Sequence, residues 1–237
     1  MKTDNRKLTT KNFPKHVAFI MDGNRRWARE KGLSPFKGHQ LGEDRIEPLI
    51  DYAIASGIPY LTFWAFSTEN WNRQKAEVEF LLTMFRNDLA KKVDNFHAKH
   101  VKLNIIGNLS MFPKDIQEKT REWMERTKNN KKITVNVALS YGGRDEIIRA
   151  LNKIRNTKYE IRKLTTKNFG DFLDTAGQPD VDLLIRTGGE KRLSGFLLWQ
   201  LEYAELYFTD TYWPDFTPKK FEKALLDYQN RQRRFGK

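Results

Sequence analysis

The stretch HVAFIMDGNRRWAREKG occupies residues 16–32. Val17 to Met21 form an unbroken apolar run, short for a helix and suited to a strand buried on both faces. It stops at Asp22-Gly23-Asn24, and Arg25, Arg26 and Trp27 follow at once. A carboxylate at the tip of a buried strand, beside a basic turn, calls for a ligand that needs both signs of charge.

The same grammar recurs along the chain. Apolar strand candidates fall at 16–21, 60–66, 101–107, 133–141, 181–186 and 205–208. Amphipathic helical patterns lie between them, near 44–56, 76–98, 114–128, 143–155 and 166–174, with another at 218–231. Nearly continuous apolar strands alternating with helices predict a single α/β domain with a mostly parallel central sheet of about six strands. No repeat, low-complexity tract or Gly/Ser linker divides it, so residues 16–237 read as one domain after a flexible segment at 1–15. In open parallel sheets ligands bind beyond the carboxyl ends of the strands. Four of these ends are polar, glycine-containing or basic: Asp22-Gly23-Asn24, Ser67-Thr68-Glu69-Asn70-Trp71-Asn72-Arg73, Tyr141-Gly142-Gly143-Arg144 and Arg186-Thr187-Gly188-Gly189-Glu190. One mouth of the sheet is built for something polar.

Within 76–98, Val78, Leu81, Leu82, Phe85, Leu89, Val93 and Phe96 form a core-facing stripe at helical spacing. Phe80 and Met84 fall roughly 120° or more off it at about 100° per residue. That helix is expected to show apolar surface to two neighbours, a second helix or a greasy cavity.

Composition narrows the ligand. The 237 residues carry 43 Lys and Arg against 30 acids, a net charge of +13, with 39% hydrophobic and no cysteine. Disulfide frameworks and thiolate metal sites are excluded, and no apolar run approaches the roughly 18 residues of a membrane span. The polar N-terminus lacks the apolar core of a signal peptide, so a cytoplasmic protein is expected, with at most peripheral membrane contact. The charge attracts polyanions in general, but a nucleic acid does not require the acid at residue 22, and no nucleic-acid partner is expected. Arginines fork onto phosphate oxygens, and a carboxylate among them can hold Mg²⁺ bridging those oxygens. A second basic corner, Arg186 with Lys191 and Arg192, matches neither GxGxxG nor the Gly-Lys-Ser/Thr phosphate loop. Two basic corners beside apolar surface point to lipid diphosphates. The four histidines have no metal spacing, and neither a GxSxG elbow nor an Asp-Asp-x-x-Asp clamp is present.

These residues resemble the cis-prenyltransferase, or undecaprenyl diphosphate synthase, family. The matching stretches are HVAFIMDGNRRWA, GHQLG, FSTENWNR, YGGRDEI, DLLIRTGGEKRLSGFLLWQLEYAELYF and WPDF, running from residue 16 to the C-terminal RQRRFG. The resemblance implies a homodimer with a hydrophobic tunnel, and Mg²⁺-dependent condensation of isopentenyl diphosphate onto an allylic diphosphate, farnesyl diphosphate being the expected primer. It implies that Asp22 binds the metal and assists departure of the allylic diphosphate. Gly23, Asn24, Arg26 and His39 would cradle that diphosphate beside Trp27. Ser67, Thr68, Glu69, Asn70, Trp71 and Arg73 would line the reacting centre. Arg186, Arg192, Leu193 and Ser194 would hold isopentenyl diphosphate, and Glu205 would complete the metal site from near the dimer interface. Asn70 is a catalytic candidate in the family, but an amide is a poor base, and positioning is the better chemical role. Arg234-Phe235-Gly236 resembles an element that reaches the partner's site. Departures accompany the likeness. Arg25 stands where many members have Gly, either as an extra phosphate contact or as a solvent-facing residue. Pro35 replaces a phosphate-binding Arg, Lys191 a frequent His, and Leu139 and Glu43 are larger than usual near the tunnel. The alternatives are a short-chain Z-prenyl diphosphate synthase and, from another class, a non-catalytic partner subunit, although such partners tend to lose the acid and basic motifs retained here.

Overall fold

The computed structural model describes residues 13–156 and 164–232. The Arg234-Phe235-Gly236 element and all but the end of the 1–15 segment lie outside them. Six strands form one sheet: β1 (His16–Ile20), β2 (Tyr60–Trp64), β3 (Val101–Ile106), β4 (Ile133–Ala138), β5 (Leu183–Arg186) and β6 (Glu205–Phe208). Their order is β3-β4-β2-β1-β5-β6, and every pairing is parallel. The chain winds from β1 toward β2, β4 and β3, then returns to lay β5 and β6 on β1's other side. The reversal therefore falls between β1 and β5, which is where such sheets open a crevice.

The two faces of the sheet differ, because side chains alternate along each strand. Val17, Phe19, Leu61, Phe63 and Val135 point to one face and join a large core that also takes in Phe216, Phe221 and Leu225. The rings of Phe19 and Phe63 stack there at 4.9 Å. The opposite face begins apolar at the strands' carboxyl ends, where Ala18, Ile20 and Ala138 meet Phe196, Leu197 and Tyr141. Toward the amino ends it turns polar: His16, Thr62, Asn136 and Asn104 share one buried hydrogen-bonded row with Gln178.

The helices are α1 (Asn24–Glu30), α2 (Pro35–Glu43), α3 (Ile46–Ser56), α4 (Lys75–Met84), α5 (Ala90–Ala98), α6 (Lys114–Thr127), α7 (Gly143–Arg155), α8 (Thr166–Phe169) and α9 (Pro218–Gln229). Helix α8 is shorter than the pattern over 166–174, and two regions differ more from the sequence reading. The helix expected over 76–98 is interrupted by a π-turn at Phe85–Leu89, which splits it into α4 and α5. Helix α2 has no counterpart in the expected pattern. It starts at an N-capping Ser34, whose side chain accepts from Lys37 N, with Pro35 in the first turn. Gly38 and Gly42 then break its apolar periodicity, because α2 lies flat against the start of α1. A Cβ on Gly38 would sit 2.2 Å from the Asn24 carbonyl oxygen, and one on Gly42 2.5 Å from Asn24 Oδ1. That close approach is what brings His39 to the mouth of the sheet.

Candidate active site

The site starts where β1 ends. Gly23 takes φ 106°, a left-handed turn that glycine enters without steric penalty, and α1 begins at Asn24. The turn leaves Asp22 at the strand tip beside Arg186, the last residue of neighbouring β5. Arg186 Nη2 donates to Asp22 Oδ2 at 2.9 Å, and Arg26 Nη2 lies 3.1 Å from Asp22 Oδ1. One carboxylate therefore aligns two guanidinium groups, one per oxygen. Arg186 is itself buried, and its Nη1 also donates to Ser194 Oγ at 2.9 Å and to the Arg192 carbonyl. Its Nε is buried without a protein partner, as is Asn24 Oδ1.

Arg26 turns a second edge toward Glu190, 3.4 Å from Nη1 to Oε1, and packs its guanidinium 5.5 Å above the Tyr212 ring. Glu190 also accepts from Arg192. Arg186, Asp22, Arg26, Glu190 and Arg192 thus form one chain of alternating charge. On the far wall, Glu77 in the first turn of α4 accepts from Arg73 Nη1 at 2.9 Å and pairs with His39 Nε2 at 3.3 Å. Arg25, 58% exposed, stands 3.7 Å from the same carboxylate. Burial, reinforced by the nearby Arg73 charge, lowers the His39 pKa below its usual value, so the ring is neutral and donates Nε2–H to Glu77.

Two adjoining clefts open over these groups. The larger, about 690 Å³, is lined by Asp22, Gly23, Asn24, Arg25, Arg26, His39 and Arg73, with Leu33 and Pro35 at its rim. The smaller, about 300 Å³, shares Asp22, Asn24, His39 and Arg73 and adds Ser67, Glu69, Asn70, Arg186 and Ser194, with Leu81 as an apolar wall. Asp22 sits on the boundary, so two anionic groups could meet at one carboxylate. The Ser67–Asn70 segment is held by its own cap: Ser67 N donates to Asn70 Oδ1 at 3.1 Å.

Several predicted site residues support this cavity from behind. Trp27 is buried and lines neither cleft, with Lys31 Nζ 5.1 Å above its ring. Trp71 packs edge-on to Phe66 and Phe112 and donates Nε1–H to Ser140 Oγ at 2.9 Å. Thr68 bonds to Glu69 and closes against Gly142. Leu193 packs on the second face of the sheet, and Arg192 meets the site through Glu190. Glu205, expected to complete the metal site from near the dimer interface, lies apart from Asp22 within one chain. It opens β6 beside Leu183, three residues below the Arg186 level of the sheet, roughly 10 Å of strand from the Asp22 end. Its carboxylate accepts from Arg231 Nη1 at 2.8 Å. Asp22 and Glu205 of one chain cannot share an ion.

Among the described residues no three acidic or histidine side chains converge on a metal position. The donor set fits an ion held by Asp22 together with substrate phosphates, which is the usual protein environment of Mg²⁺. It does not fit a cage made of protein alone. Sequence reading missed Glu77 and Glu190, which arrange the arginines without touching each other. The sequence signal of Glu77 is its i, i+4 spacing from Arg73, and that of Glu190 is its place in the polar end of β5, with nothing to mark its partner.

A family model described as putative undecaprenyl diphosphate synthase matches residues 20–236. The chain belongs to this prenyltransferase family. The isoprenyl transferase of Aquifex aeolicus is 48% identical over 224 residues, covering 94% of this chain and 96% of that one. A ditrans,polycis-undecaprenyl-diphosphate synthase of Pasteurella multocida, specific for (2E,6E)-farnesyl diphosphate, is 44% identical, with 97% of each chain covered. The crystal structure of lavandulyl diphosphate synthase from Lavandula x intermedia, in complex with dimethylallyl diphosphate, superposes with a TM-score of 0.91 at 36% identity, covering 95% of this chain and 99% of that one. The family likeness makes this chain a prenyl-transferring enzyme of the cis type. No helix among the described residues is long and apolar enough to cross a membrane.

Proposed function

We propose that the enzyme condenses isopentenyl diphosphate with an allylic diphosphate, farnesyl diphosphate in the leading reading, to give a Z-polyprenyl diphosphate such as undecaprenyl diphosphate. The observation that carries this is the placement of Asp22 between Arg26 and Arg186, on the boundary of two adjoining clefts at the β1/β5 switch point. The larger cleft, walled by Arg26, Arg25, His39 and Arg73, takes the allylic diphosphate. The smaller cleft, with Arg186, Ser194 and Asn70, takes isopentenyl diphosphate. The allylic C–O bond breaks and the diphosphate leaves with the electron pair. The isopentenyl double bond then bonds to the allylic C1, and a proton leaves the neighbouring carbon.

Arg26 and Asn24 stabilise the charge that develops on the leaving oxygen, in a site aligned before the substrate arrives. Arg186 and Ser194 hold the second diphosphate so that its double bond faces the first, which supplies much of the acceleration as lost freedom settled in advance. Mg²⁺, held by Asp22 and phosphate oxygens, would neutralise further charge on the leaving group. Asn70 is a positioning group rather than a base, since its carbonyl oxygen is engaged by Ser67 N. The departing diphosphate is the proton acceptor.

The test is incubation with labelled isopentenyl diphosphate, Mg²⁺ and allylic primers of several lengths, followed by chromatography of the products. Asp22→Ala is expected to abolish condensation with an unchanged circular dichroism spectrum; near-normal turnover would sink the mechanism. The likeness to a lavandulyl diphosphate synthase favours a second reading, a short-chain product, which the same chromatogram decides. The exposed Tyr203 and Leu206, just before and on edge strand β6, support assembly as a homodimer, checked by sedimentation.

A further inference from the structure

Residues 29–37, from the end of α1 into the first turn of α2, form a continuous exposed ridge along the rim of the larger cleft. Three apolar side chains stand at its crest. Leu33 is 41% exposed and Phe36 37%, and Pro35 lies between them, also exposed. The Phe36 ring rests on that of Phe80 at 4.5 Å, which props it at the surface instead of letting it fold inward. The flanks are basic. Arg25, Arg29, Lys31 and Lys37 are all exposed, against two acids that are already engaged. Glu30 Oε1 accepts from the Tyr212 hydroxyl, and the buried Glu77 holds Arg73 and His39 and lies 3.7 Å from Arg25. Single exposed hydrophobics are ordinary, but a clustered apolar crest ringed by cations is the pattern of a surface that enters a headgroup layer.

We propose that this ridge docks on an anionic lipid bilayer, with Leu33, Pro35 and Phe36 entering the headgroup–acyl boundary and the lysines and arginines pairing with lipid phosphates. Charge complementarity selects the occupant, because four cations around an apolar tip repel a basic partner and oppose self-association of the same face. The inference rests on the proposed function for its purpose. Leu33 and Pro35 line both the ridge and the larger cleft, so a docked enzyme would open its allylic diphosphate cleft toward the bilayer that holds prenyl chains.

The experiment is flotation of the full chain with vesicles of phosphatidylcholine alone, or of phosphatidylcholine mixed with phosphatidylglycerol, at low and high salt. The wild type is expected to float only with the phosphatidylglycerol-containing vesicles, less so as salt rises. The double variant Leu33→Ser, Phe36→Ser should partition roughly tenfold less or weaker still. The control Ile148→Ser, at a 57% exposed position on α7, should float as the wild type does. Lys31→Gln with Lys37→Gln keeps the crest and should lose binding several-fold. Circular dichroism of each variant confirms folding. A wild type that floats with neither vesicle, or equal partition of the wild type and both ridge variants, overturns the proposal. Prenyl transfer is measured on the same preparations without vesicles. Transfer without flotation sinks the ridge alone, whereas flotation without transfer sinks the proposed activity and leaves the ridge standing.

Discussion

At the scale of single residues, the candidate site is a set of guanidinium groups held in position by carboxylates. Arg186 is the most constrained, being buried and bonded to Asp22, Ser194 and the Arg192 carbonyl. Its replacement by Ala should raise the Michaelis constant for isopentenyl diphosphate by an amount worth about 2–4 kcal/mol, as for a lost charge-assisted contact. An unchanged constant would remove Arg186 from that role. Glu77 acts differently, since it holds Arg73 and His39 without facing the reacting centre. Glu77→Gln keeps the shape and deletes a negative charge near the allylic diphosphate. Turnover should fall roughly tenfold while the allylic Michaelis constant does not rise, because lost orientation and a stronger positive field act in opposite senses. A loss carried wholly by that constant would make Glu77 an ordinary contributor to binding. Asp22 and Arg186 were legible in the sequence because each ends an apolar run. Glu77 and Glu190 were not, because a charge on a helix or loop looks solvated until its partner, distant in the chain, is placed beside it.

At the scale of elements, all six strands were placed, although the expected β2 and β4 overran the observed carboxyl ends by two and three residues and the expected β5 began two residues early. The inner strands are legible because of their burial on both faces. A strand covered on both sides is apolar throughout and ends abruptly, so the run from Val17 to Met21 and β5 announce where they stop. Helices were read less well where packing overrode pattern. Val78, Leu81, Leu82, Phe85, Val93 and Phe96 of the expected stripe stay in the core, but the π-turn at Phe85–Leu89 divides the helix expected over 76–98. Phe80, off that stripe, meets Phe36 of α2, so the second apolar face has a helix as its neighbour. Helix α2 was invisible because its glycines serve a backbone contact with α1 and not a helical preference. Gly38→Ala should gain helix propensity yet destabilise the fold by about 1–3 kcal/mol, since the added methyl meets backbone atoms of Asn24 that cannot move independently. Gly170→Ala, at a position open on all sides, should stay within about 0.5 kcal/mol of the wild type in urea unfolding. Equal effects at the two positions would disprove the packing account.

At the scale of the whole molecule, the sheet separates function from stability along its strands. The carboxyl ends carry the ionic site, and the amino ends carry the buried polar row that ties β1, β2, β4 and β3 together. His16 begins the row. Its Nδ1–H donates to the Pro179 carbonyl at 2.8 Å, and its Nε2 accepts from Thr62 Oγ1 at 2.7 Å. Thr62 in turn accepts from Asn136 Nδ2 at 2.9 Å, which leaves no place for a second proton on the ring without breaking the sequence of donors. Burial lowers the His16 pKa from 6.5 to about 4, against smaller raising effects from Pro179 and Asp182. The unfolded chain therefore takes up a proton on this residue below about pH 6.5 while the folded chain resists until about pH 4. Stability contributed by neutral His16 is fully present above the first value and is lost progressively as the pH falls toward the second, to a limit of roughly 3 kcal/mol. Other carboxylates and histidines titrate nearby, so the comparison is with His16→Gln, which can bond to the same partners without titrating. Urea unfolding of both proteins between pH 7 and 4 should show the wild type losing its advantage across that window while the variant changes less. Parallel stability curves for the two proteins would mean that the ring is not held neutral, and that the polar row tolerates a charge.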